Sequence, residues 1–231
     1  MIKKFKNYLK QALKIVPSKK RKSLAFHISQ TAPNCDLFDL DYMLGLSEDS
    51  EYIKIYREGL IKAGQEDTDN IYKTLRHMNL YNYVEDVLRK NVPGDFAECG
   101  CWKGFTIFTI KHFIDKYKST KYFHVFDSFE GGLSEFKEKD FKGGFINSKE
   151  RAEEVRGEFH SSYDELLKNT ENLSRLNVNK GWIPEVFENE GERSYSFVHI
   201  DVDLYEPTLA SHRYFFNRLS KGGVIVCDDY G

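Results

Sequence analysis

From Asp95 onward the chain alternates short apolar runs rich in aromatic and β-branched residues with longer stretches of helical period, a rhythm that predicts strand–helix–strand units. Phe96 to Cys99 reads as a first strand, Gly100 to Gly104 as a turn and Thr106 to Tyr117 as a largely apolar helix. Tyr122 to Phe126 forms the next strand, ending at Asp127, and a helix over Tyr163 to Leu173 precedes a strand over Asn177 to Trp182. Two further strands, Phe197 to Asp201 and Val224 to Cys227, are continuous apolar runs that stop abruptly at aspartates, the pattern of strands buried on both faces. Between them Pro207 suits the first turn of a helix reaching about Leu219, and Gly222-Gly223 suits a reversal of the chain. The expected fold is an α/β, Rossmann-like, doubly wound and mostly parallel sheet.

Ahead of that sheet the period is helical. Ile2, Phe5, Leu9, Leu13 and Val16 recur at helical spacing between lysines and stop at Pro17. Such a basic helix suits weak contact with an anionic membrane surface, or packing on the domain or on a second subunit. Residues 23 to 46 read as an irregular connector. Ser47 to Ala63 reads as a helix stopped by Gly64, a second helical stretch begins near Ile71, and a third covers Leu80 to Lys90 before Pro93-Gly94. The division expected is a helical cap over 1–92 and a sheet domain over 93–231. Within the latter, residues 128–162 lack a clear period and form a lid or inserted loop.

Composition narrows the classes. With 34 Lys and Arg against 36 Asp and Glu, the formal charge is −2, so bulk charge points to no nucleic-acid partner. No apolar run is long enough to span a bilayer and lysines interrupt the start, so the expected setting is cytoplasmic. Four cysteines, Cys35, Cys99, Cys101 and Cys227, lack zinc spacing and read as small thiols.

Candidate chemistry gathers at the strand ends. The turn after the first strand, Glu98-Cys99-Gly100-Cys101-Trp102-Lys103-Gly104, carries two glycines but places Trp102 where a dinucleotide loop has its middle glycine. It therefore suits a nucleoside without a pyrophosphate better than a nicotinamide dinucleotide. Glu98 suits the cation of a ligand, and Asp127 stands where an acid takes ribose hydroxyls. That combination fits S-adenosylmethionine. Asp201, Asp228 and Asp229 end two core strands; as hard oxygen donors they suit magnesium or calcium, or else they are ordinary turn residues.

The runs Val92 to Gly104, Val125 to Gly131, His199 to Thr208 and Gly222 to Gly231 resemble the macrocin O-methyltransferase (TylF/MycF) family, over a stretch from about Tyr72 to the last residue. The resemblance implies a class I methyltransferase fold, S-adenosylmethionine as donor, magnesium as cofactor and O-methylation of a hydroxyl on a sugar or sugar-like acceptor, whether a natural product or a glycan. It also implies a homodimer. By position it implies Asp201, Asp228 and Asp229 as metal ligands, Asp201 as general base, and Glu98, Gly100, Trp102, Gly104, Asp127, Ser128, Gly181 and Trp182 around the donor, with Trp182 flanking adenine. Asp203 and His199 are weaker base candidates; Asp203 equally suits the cap of a helix that begins at Pro207, and His199 suits packing within its strand.

One departure bears on the expectation. The class I fold continues past its second acidic tip with a helix and further strands, whereas this sequence stops at Gly231. An apolar strand left at a sheet edge is an aggregation hazard. The expectation is therefore a fragment of a longer chain, with a sheet completed by another subunit as the other possibility. The competing functional readings are a truncated, inactive binding protein and a nicotinamide oxidoreductase, the latter lacking the third phosphate-loop glycine.

Overall fold

The computed structural model describes residues 51–65, 71–141 and 148–228. The N-terminal basic helix, the connector, and Asp229 with Tyr230 lie outside them. By contacts the chain divides into two compact units, one of 1–58 with 66–79, the other of 59–65 with 80–231.

The elements in order are α1 (Glu51–Lys62), α2 (Ile71–Arg89), β1 (Asp95–Cys99), α3 (Phe105–Lys116), β2 (Phe123–Asp127), α4 (Lys149–Glu158), α5 (Tyr163–Thr170), β3 (Leu176–Lys180), a 3-10 turn (Glu185–Asn189), β4 (Tyr195–Ile200), α6 (Tyr205–Phe216) and β5 (Leu219–Cys227). The five strands form one parallel sheet in the order β3-β2-β1-β4-β5. The expected α/β doubly wound architecture is present. Among the described residues no helix is long and apolar enough to cross a membrane.

Burial explains the order. Every residue of β4 is buried, and β1 is buried from Phe96 to Cys99, as strands covered on both faces must be. β3 and β5, at the two ends of this sheet, are only partly covered. On one face Ala97, Cys99, Phe126, Tyr195, Val198 and Ile200 pack against Phe215 of α6 and Phe187 of the 3-10 turn. Burying a Phe or Ile side chain of this kind contributes about 1.5–3 kcal/mol.

Three local expectations change. The stretches expected as separate helices from Ile71 and from Leu80 are one helix, α2, because Met78-Asn79-Leu80 contains no breaker. The lid contains α4, started by Ser148, whose hydroxyl accepts from Arg151 N at 3.1 Å. Gly222-Gly223 lies inside β5 rather than before it. Residues 219 to 224 of β5 run against 195 to 197 of β4, and Gly222 at φ 87° absorbs the excess as a bulge.

Candidate active site

The strand order reverses between β1 and β4, so the crevice where open α/β sheets take ligands lies at their C-terminal ends. β1 delivers Glu98 and the turn from Gly100, β2 delivers Asp127, β4 delivers His199 and Asp201, and β5 delivers Asp228. Ile200 and Cys227 are the last paired residues of β4 and β5, and Asp228 N donates to Ile200 O at 2.9 Å. Asp201 and Asp228 are therefore neighbours on adjacent strand ends. Asp229 lies outside the described residues. Among those residues, no group of three or more His, Cys, Asp or Glu is placed to hold a metal ion.

The turn after β1 is a tightly bonded loop. Asp127 Oδ2 accepts from Cys101 N at 2.8 Å and from Trp102 N at 3.1 Å, while Oδ1 accepts from Phe129 N at 3.1 Å. Gly100 N donates to Phe126 O at 2.8 Å, and Gly104 N to Cys101 O at 2.7 Å. Packing demands glycine at Gly100, where a Cβ would lie 1.8 Å from Asp201 O, and backbone conformation demands it at Gly104, which holds φ 83° and whose Cβ would crowd only the end of the Leu166 side chain.

Trp102 holds φ 45°, Phe129 φ 53° and Asp203 φ 60°. These left-handed non-glycine residues follow β1, β2 and β4 respectively, while three others, Asn91, Lys118 and Arg175, precede β1, β2 and β3, so the strained positions mark the turns at both edges of the sheet. The Trp102 indole N–H is buried and, among the described residues, has no hydrogen-bond partner. Its ring lies 6.1 Å from that of Phe159 and under Lys103 Nζ at 4.8 Å.

Beneath the crevice, Glu98 and His199 face each other across β1 and β4. His199 Nδ1 lies 2.8 Å from Glu98 Oε1, with the two side chains 3% and 0% exposed. Burial works against the imidazolium and is the largest single influence. The hydrogen bond and charge of Glu98, with the charges of Asp201 and Asp228, outweigh it and hold His199 above the usual histidine range. His199 is thus more than strand packing, and sequence reasoning missed its partner.

The stretch inserted after β2 has a small core of its own, in which Ala152 and Val155 meet Leu133, Phe136, Phe141 and Phe159. It also reaches the crevice. Asp140 Oδ1 accepts from Tyr205 N at 2.8 Å, and Lys139 Nζ pairs with Glu206 Oε1 at 3.3 Å. Helix α6 consequently begins at Tyr205 after an N-cap at Leu204, so Asp203 is not its cap. At the far side Gly181 N donates to Asp127 O at 2.9 Å, Trp182 Nε1 donates to Glu130 Oε2 at 3.2 Å, and Ser128 Oγ accepts from Glu130 N at 3.4 Å. Cys99 and Cys101 are buried free thiols, and Cys227 is a free thiol at intermediate depth.

Comparison with known proteins bears on this geometry. The family described as Macrocin-O-methyltransferase (TylF) matches residues 70–231. Demethyldecarbamoylnovobiocin O-methyltransferase of Streptomyces niveus is 26% identical over 183 residues, 76% of this chain and 68% of the relative. The 8-demethyl-8-(2,3-dimethoxy-alpha-L-rhamnosyl)-tetracenomycin-C 4'-O-methyltransferase of Streptomyces olivaceus is 28% identical over 157 residues, 66% of this chain but only 59% of the relative's length. Among solved structures, the O-methyltransferase NovP superposes with a TM-score of 0.57 at 25% identity, over 76% of this chain and 74% of NovP.

Proposed function

This chain belongs to the macrocin-O-methyltransferase (TylF) family, and we propose that it transfers a methyl group from S-adenosylmethionine to a hydroxyl of a sugar or sugar-like acceptor, with magnesium as cofactor. One observation carries the reading: at the switch point, the turn suited to a nucleoside abuts the aspartate-bearing end of β4, with Asp201 N donating to Cys99 O at 2.9 Å. A donor seated on the first and a hydroxyl held at the second would be neighbours. The acceptors named for the two relatives, demethyldecarbamoylnovobiocin and a rhamnosyl tetracenomycin, support the acceptor class.

The residues suit both groups. Asp127 fixes the turn, leaving few of its amides for a phosphate and so favouring a donor without one. Ser128, Gly181 and Trp182, around the ends of β2 and β3, border the nucleoside in this proposal, with Glu98, Gly100, Trp102 and Gly104 on the methionine side. For the metal, the family resemblance is the support, together with the neighbouring positions of Asp201 and Asp228 at the ends of β4 and β5, whose hard oxygen donors suit a divalent cation. Asp201, Asp228 and Asp229 would hold magnesium, which when bound lowers the pKa of a coordinated hydroxyl. Asp201 accepts the hydroxyl proton as the oxygen takes the methyl group, and the sulfonium becomes the thioether of S-adenosylhomocysteine. The family resemblance carries the further expectation of a homodimer.

Isothermal titration of the full chain with S-adenosylhomocysteine tests the donor. Saturable binding is expected, and its absence would remove the enzyme reading in favour of an inactive relative. Radiolabelled methyl transfer to a panel of deoxysugar-bearing natural products, with and without EDTA, then tests the acceptor class and the metal.

A further inference from the structure

The donor turn has few backbone groups left to offer. The amides of Gly100, Cys101, Trp102 and Gly104 are all committed within the protein. Two buried polar atoms of the same segment, however, have no hydrogen-bond partner among the described residues: Glu98 Oε2, an acceptor, and Trp102 Nε1, a donor. Buried unpaired groups of this kind are costly, and in native structures each calls for a partner such as water, an ion or a bound molecule. Their polarities are opposite. A negative oxygen and an N–H donor on one strand-turn segment complement an ammonium and a carboxylate on one ligand, which is the chemistry of an α-amino acid.

The state of Glu98 is set from the next strand. In the pairing of β1 with β4, Glu98 lies opposite His199, and the 2.8 Å contact to Nδ1 occupies Oε1 alone. Both residues are buried, so no solvent competes for the carboxylate. The imidazole thereby fixes the rotation of the carboxyl group and leaves Oε2 as its one unpaired oxygen, buried in this state.

We infer that His199 is a positioning residue which, through Glu98, holds an acceptor oxygen ready for the ammonium of the donor's methionine end, with the Trp102 indole serving the carboxylate. This rests on S-adenosylmethionine being the donor. It separates His199 from proton transfer, which belongs to Asp201, and gives β4 a part in donor recognition as well as in acceptor activation.

Titration calorimetry with two probes on the full chain tests the inference: S-adenosylhomocysteine, and 5'-methylthioadenosine, which keeps the nucleoside and thioether but lacks both charged groups. His199→Leu should weaken S-adenosylhomocysteine about tenfold, the scale of one charge-assisted hydrogen bond, while methylthioadenosine stays within about twofold. His199→Asn, whose amide N–H occupies the place of Nδ1–H, should restore S-adenosylhomocysteine to within about threefold of the wild type. A purely structural histidine would weaken both probes together; that outcome, or unchanged binding of both, overturns the inference. Should His199→Leu fail to fold, Glu98→Gln decides: selective loss of S-adenosylhomocysteine supports the inference, and equal loss or none overturns it. A wild-type protein that binds neither probe removes the donor reading itself, whereas binding by wild type with no selective loss in the variants removes this inference alone.

Discussion

Gly100 and Asp201 stand so close that a methyl group on the first would lie 1.8 Å from the carbonyl oxygen of the second. The obstacle is backbone on a buried strand end, and Gly100 also holds φ 79°. Gly100→Ala should therefore combine the left-handed penalty of about 1–2 kcal/mol with an overpacking cost of about 1–3 kcal/mol. Thermal melting should show a large fall in midpoint or no folded protein. A variant that melts within a degree or two of wild type and binds S-adenosylhomocysteine normally would show that β1 and β4 are not locked together here.

Asp127 is expected to matter through the loop it organises. Its carboxylate accepts three backbone N–H groups, from Cys101, Trp102 and Phe129. Asp127→Ala strands those donors, at about 1–3 kcal/mol for each one left buried and unsatisfied. S-adenosylhomocysteine affinity should fall at least tenfold, and hydrogen exchange of the Cys101 and Trp102 amides should quicken. Asp127→Asn, which keeps an acceptor oxygen, should lie between. Slow exchange at those amides in Asp127→Ala would mean that the turn holds its shape without the carboxylate.

How much of this was legible follows from whether each signal is local. The strands were, because β1, β2 and β4 are buried on both faces and so read as unbroken apolar runs. Helix α4 was not: its buried residues are only Ala152 and Val155, and their partners Leu133, Phe136, Phe141 and Phe159 lie outside the helix. The start of α6 was misplaced toward Pro207 because the group accepting from Tyr205 N is Asp140, 65 residues away on the lid. Asp201 and Asp228 announced themselves by ending apolar strands. The Glu98–His199 pair did not, since it exists only once β4 is known to lie beside β1, and nothing in either strand alone encodes that neighbour.

The thiols offer a test of burial near the turn after β1. Burial is the main cause holding Cys99 and Cys101 above the ordinary thiol range, and the charges of Glu98 and Asp127 push the same way. Neither should form thiolate at pH 8. Peptide mapping after brief iodoacetamide treatment of native protein should find Cys227 alkylated ahead of Cys99 and Cys101, which become reactive only on denaturation. Rapid labelling of Cys101 in the native state would show that the turn opens to solvent.

The two aspartates that end β4 and β5 carry the heaviest part of the proposed chemistry, and their roles separate from donor binding. Asp201 and Asp228 meet through the pairing of β4 with β5, whereas the turn after β1 is fastened to β2 through Asp127 and Phe126. Exchanging either aspartate for asparagine removes a charge but little volume, so the strand ends should keep their packing. Asp201→Asn and Asp228→Asn should accordingly bind S-adenosylhomocysteine within about threefold of wild type while their magnesium titration heats vanish. Methyl transfer should fall by about a hundredfold or more, the scale expected when a general base is removed. Since the binding heats need no acceptor, the metal role can be tested before the sugar is known. Retention of magnesium binding in both variants, or near-normal transfer by either in the presence of EDTA, would take the metal away from these residues and leave Asp201 to be tested as a base alone.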